Sequence, residues 1–194
     1  MKYAKIVLFI LIVCCLPMGI TAQSISIDAT KTADELVQVL TNTTSCLTIY
    51  PATASGSTIK KSFATFNKNG STFPFSSGIV LSTWESENSK GPYDPGFSGS
   101  VASWNGDSNL DAILGINSLN ATTLEFEFES KTNYLSFNYL FASNEYIRDY
   151  PCNYSDGLAI LIKDVTTNSN YSNIATLPDG TAVSSKNIHP AISS

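Results

Sequence analysis

Residues 123–129 alternate without a fault: Leu124, Phe126 and Phe128 fall on one side of an extended chain and Glu125, Glu127 and Glu129 on the other. A period of two with a single apolar face is the pattern of a half-buried antiparallel strand with a wet carboxylate face. Leu135, Phe137, Tyr139 and Phe141 repeat the period at once, and the short connection at residues 131–133 predicts a hairpin. Residues 46–50, 63–66 and 78–83 are further strands by composition. Residues 158–162 form a continuous apolar run, as in a strand covered on both faces. One helix is expected: Thr32 and Glu35 make a capping box, and Ala33, Leu36, Val37 and Leu40 recur at helical spacing. The sum is a mostly β chain. An antiparallel β-sandwich of jelly-roll type with one N-terminal amphipathic helix is the expected architecture.

The chain opens on Lys2 and Lys5, continues apolar from Ile6 to Leu16, and meets small residues at Thr21 and Ala22. Residues 1–22 therefore read as a secretory signal peptide, too short in its apolar part to span a bilayer, which takes about 20 residues. Val13 and Cys14 precede Cys14 and Cys15 where a lipid-attachment site carries a small residue, so both cysteines are assigned to the signal. Residues 23–194 are expected to form a single domain, secreted or at the cell surface and not membrane-spanning after cleavage. Its 9 basic residues face 16 acidic ones, a net charge of −7, with Arg148 the one arginine. Nothing there can neutralise a run of phosphates, so nucleic acid is excluded as a partner. Cys46 and Cys152 are expected to form a disulfide in an oxidising compartment, the alternative being two separate thiols.

Several of these segments, taken in order, resemble one family. They are residues 32–40 (TADELVQVL), 69–83 (NGSTFPFSSGIVLST), 106–111 (GDSNLD), 124–128 (LEFEF) and 135–146 (LSFNYLFASNEY). Together they resemble the choice-of-anchor L domain of exported bacterial proteins, typically from Bacteroidetes. The resemblance implies a surface or secreted module and supplies no catalytic residues. Two positions depart from the pattern: Asn144 stands where the family usually has an acid, and Ser155 where it usually has Asn. Closing strands and an anchor are expected beyond Ser194, so the domain reads as truncated at its C-terminal end. The Asn-x-Ser/Thr sequences at Asn42, Asn69, Asn120, Asn153 and Asn170 read as polar loops in such a protein.

Chemistry has few carriers. The single histidine, His189, lies in a Pro-flanked tail, so no Ser-His-Asp or Cys-His arrangement and no zinc cluster can be assembled. Asp107, Asn109 and Asp111 alternate like calcium ligands, and Glu145 and Asp156 are the acids expected to complete such a site. Asp107 as the cap of a short helix, with Leu110, Ile113 and Leu114 inward, is the competing reading. Trp84, Tyr93 and Trp104, with Phe97, sit among Asn, Asp and Ser and are expected to contact glycan, with core packing as the alternative for each. The functional expectation is a non-catalytic module for adhesion or glycan binding, calcium-dependent if that loop binds the ion, with an extracellular glycan or surface protein as partner. The alternative is a carbohydrate-active hydrolase using Glu145 and Asp156 as its carboxylate pair.

Overall fold

A computed structural model describes residues 24–41, 46–92, 94, 101, 103–146 and 150–188. The signal expected at residues 1–22 lies outside these, as do Tyr93, Phe97 and His189. In chain order the elements begin with β1 (Ser26–Asp28), α1 (Ala33–Thr41), β2 (Leu47–Ile49), β3 (Thr53–Ser55), β4 (Phe63–Asn67) and β5 (Ser77–Leu81). A 3-10 turn (Ser86–Lys90), α2 (Ser108–Leu114), β6 (Thr123–Glu125) and β7 (Phe128–Ser130) follow. The last are α3 (Tyr150–Asn153), β8 (Gly157–Leu158), β9 (Leu161–Ile162), β10 (Ser172–Asn173), β11 (Val183–Ser184) and α4 (Ser185–Ile188). The mostly β, antiparallel class read from the sequence is what the structure shows. One three-stranded sheet, β1-β4-β5, stands beside four two-stranded ladders among the described residues.

The capping box forms as read. Glu35 N–H donates to Thr32 Oγ1 at 3.3 Å, and Glu35 Oε2 accepts from Thr32 N–H at 2.8 Å. These bonds satisfy donors that the first helical turn leaves open. Leu36 and Val37 are fully buried as α1 packs on β5, β4 and β3, whereas Leu40 stays exposed. In the sheet beneath, Phe66 opposes Gly78, and a Cβ on Gly78 would come 2.7 Å from the Phe66 ring. The glycine leaves that ring room to lie over the strand, where Phe73 meets it edge-on at 5.3 Å.

The hairpin expected between residues 123–129 and 134–141 is not made. Residues 123–130 pair instead with residues 47–55, as β6 with β3 and β7 with β2, and residues 134–141 enter no strand. The alternation itself holds: Glu125, Glu127 and Glu129 are exposed and Leu124, Phe126 and Phe128 half-buried. Ile49 opposes Phe128 and Thr53 opposes Glu125, so Tyr50, Pro51 and Ala52 face only Phe126 and Glu127. Three residues against two is a β-bulge, and Pro51, with no N–H to give a ladder, sits inside it. Tyr50 N–H still reaches Glu127 O at 3.0 Å, while Ala52 N–H turns away to Asp34 Oδ1 at 2.7 Å.

The apolar run 158–162 is also divided. β8 pairs with β11 and β9 with β10, because Asn173 Oδ1 takes the Ile160 N–H at 3.1 Å between them. Its residues are half-buried or exposed, not covered on both faces. Hydroxyls fill part of the interior. Ser62, fully buried, accepts from Ser57 N–H at 3.0 Å and lies 2.9 Å from Thr122 Oγ1, which donates to Ser82 O at 2.7 Å. That chain ties β4, β5 and the approach to β6 together.

Candidate functional site

Glu145 and Asp156, nominated from sequence, do come together. Glu145 Oε2 accepts from Asp156 N–H at 3.0 Å and from the Ser185 hydroxyl at 2.6 Å. The Ser143 hydroxyl donates to Asp156 Oδ2 at 3.2 Å. Ser185 N–H donates to Asp156 O at 2.9 Å, extending the β8–β11 ladder into the first residue of α4. Burial, and next the neighbouring Glu145 charge, push the Asp156 carboxyl above the ordinary carboxylate value, while hydroxyls of Thr83 and Ser143 pull it back. The Asp156 loop is polar, but its carboxyl is desolvated. The Tyr146 phenol is raised too, first by burial and then by Asp156 and Glu145.

Asp107 and Asp111 are engaged around α2. Asp107 Oδ1 accepts from Asn109 N–H and Leu110 N–H, both at 2.9 Å, and so caps α2. Asp111 Oδ1 accepts from Ser118 N–H at 2.7 Å, and the Ser118 hydroxyl in turn accepts from Asp107 N–H at 3.0 Å. Bonds from the Ser118 hydroxyl and backbone hold the Asp111 carboxyl below its usual range. Asn109 is exposed, and Ile113, expected inward, is exposed as well. Among the described residues no three His, Cys, Asp or Glu side chains converge as a metal site would require.

Of the aromatic trio, Trp84 and Trp104 are described and differ in exposure. Trp104 is a core residue, 6% exposed, with its indole N–H on Ala121 O at 2.7 Å. Trp84 is half-buried, and its ring carries the Lys60 ammonium at 4.1 Å from the centroid. Tyr93 is outside the described residues. The expected disulfide is not formed in this structure: Cys46, before β2, and Cys152, in α3, are both exposed and not joined.

A cleft that the sequence reading passed over lies between α1 and the bulge. Asp34, Val37, Gln38 and Thr41 share one face of α1, at the spacing i, i+3, i+4, i+7. Opposite them stand Leu47, Ile49, Tyr50 and Pro51, and the space between is about 440 Å³. Its signal was present in the stripe of α1, where Asp34, Gln38 and Thr41 interleave with the apolar positions.

The chain matches the model of the choice-of-anchor L domain over residues 24–194. It belongs to the choice-of-anchor L domain family. No curated protein and no solved structure matches it. The choice-of-anchor L domain is a surface-associated module and not a known enzyme family. Among the described residues no helix is long and apolar enough to cross a membrane. In this choice-of-anchor L domain Asn144 and Ser155 both border the acid knot. Asn144 is exposed beside Glu145, and the Ser155 hydroxyl lies 3.3 Å from that of Ser185.

Proposed function

We propose that this domain is a non-catalytic module, exported by the signal at residues 1–22, that holds its parent protein against extracellular glycan. The observation supporting this reading is how the one nominated carboxylate pair is used. Glu145 sits on the backbone amide of Asp156 and on the hydroxyl that opens α4, so both acids belong to a single hydrogen-bonded knot. A glycosidase needs its carboxyls facing each other across an open cleft, roughly 5 to 9.5 Å apart, with the sugar between them. Here the groups bonded to the two carboxyls are protein groups. The raised Asp156 carboxyl favours the second reading, a hydrolase with Asp156 as proton donor.

One experiment separates the two. The mature protein and its Glu145→Gln and Asp156→Asn variants are incubated with insoluble polysaccharides. Retention and released sugar are then measured together. Retention by all three proteins without product is the expected result. Product from the wild type that both variants fail to release would establish the hydrolase.

A further inference from the structure

We infer that the cleft between α1 and the β2–β3 bulge is the glycan site, and that it takes neutral sugar rings of a polysaccharide chain. This rests on the glycan reading above and gives it a location. The bulge is what builds the site. Because Tyr50, Pro51 and Ala52 oppose two residues, Ala52 N–H leaves the ladder and fixes the Asp34 carboxylate at one end of the cleft. Tyr50 is anchored through its N–H to Glu127 O, and its side chain is left 47% exposed on the cleft wall.

The lining has the composition a pyranose needs. A sugar ring has one face of C–H groups and a rim of hydroxyls. The Tyr50 ring supplies apolar area for the first, and the half-buried Leu47 and Ile49 supply an apolar floor. For the rim, Asp34 Oδ2 makes no hydrogen bond among the described residues and accepts from hydroxyls. The exposed Gln38 carboxamide, likewise without a partner among the described residues, both donates and accepts. Asp34 is the only charged residue among the described residues of the lining, and it is negative. That disfavours uronates, sulfated sugars and phosphates and leaves neutral, hydroxyl-rich ligands. A volume of about 440 Å³ falls in the range of about 300 to 1,000 Å³ typical of small-ligand sites. It admits sugar rings and not a folded partner.

The test is calorimetric titration of the mature protein with cellohexaose, mannohexaose, xylohexaose and maltohexaose, with hexagalacturonate as the anionic comparison. At least one neutral oligosaccharide is expected to bind. Tyr50→Ala should weaken it about tenfold or more, Gln38→Ala severalfold, and Tyr50→Phe little, since the ring remains. Gln38 is exposed, so its variant keeps the test open should Tyr50→Ala unfold. Binding that survives both Tyr50→Ala and Gln38→Ala would overturn the cleft and leave the glycan reading intact. So would retention on an insoluble polysaccharide when none of the hexasaccharides binds. Hexagalacturonate binding more tightly than the neutral set would also overturn it. Failure of the protein to bind any of these materials would remove both claims.

Discussion

The Ser185 hydroxyl donates to Glu145 Oε2 at 2.6 Å, joining residues forty positions apart at the point where β11 gives way to α4. The same oxygen holds the Asp156 N–H, so one carboxylate organises three segments. Glu145→Ala leaves a donor on each partner unsatisfied and should cost about 1 to 3 kcal/mol. Glu145→Gln keeps an acceptor oxygen and should cost less. Urea unfolding of the two variants beside wild type makes the comparison. Equal losses would mean that the charge matters and the hydrogen bonds do not.

Asp156 predicts a pH dependence of opposite sign to ordinary acid denaturation. Its folded carboxyl is raised above the reference value of 3.8, mainly by burial and then by Glu145. Between that value and the folded one, the native state binds more protons than the unfolded chain, so this group's contribution to stability falls as pH rises. Asp156→Asn should therefore raise Tm at pH 7, and the gain should shrink towards pH 4. A gain that grows on acidification would contradict the assignment.

Asp107 distinguishes a cap from a cation ligand. A lost cap costs about 0.5 to 2 kcal/mol in Asp107→Ala, whereas Asp107→Asn caps nearly as well and should be close to wild type. Calcium titration should leave the Tm of wild type where EDTA leaves it. Stabilisation by calcium that Asp107→Asn abolishes would restore the metal reading.

The two tryptophans should report different surroundings. With Trp104 buried on Ala121 O and Trp84 only half-buried, the Trp84→Phe variant should emit further to the blue. Acrylamide should also quench it less than the Trp104→Phe variant. Identical quenching in the two single-tryptophan proteins would place Trp104 outside the core.

The helix and the strand faces were legible because each is written in local pattern. Thr32 and Glu35 stand three residues apart, and Glu125, Glu127 and Glu129 need only a period of two. Strand partners were not legible. The run 123–129 carries no mark saying whether its mate is 134–141 next door or 47–55 far away, and a hairpin is favoured by proximity alone. The bulge was hidden for the same reason, since an extra residue exists only relative to a partner. In the acid knot the residue types were readable and the burial was not. Asp156 lies in polar sequence, and no spacing there marks the burial that raises its carboxyl. Trp104 looked like a surface aromatic because its neighbours are polar, yet its N–H found Ala121 O seventeen residues on.

Residues 134–141 hold Tyr134, 77% exposed, with Leu135, Phe137, Tyr139 and Leu140 also open to solvent, in a chain that enters no ladder. Backbone outside any helix or strand, with aromatic side chains in the open, is readily taken by proteases. An aromatic-directed protease should nick this protein there first, leaving fragments that part between β7 and α3.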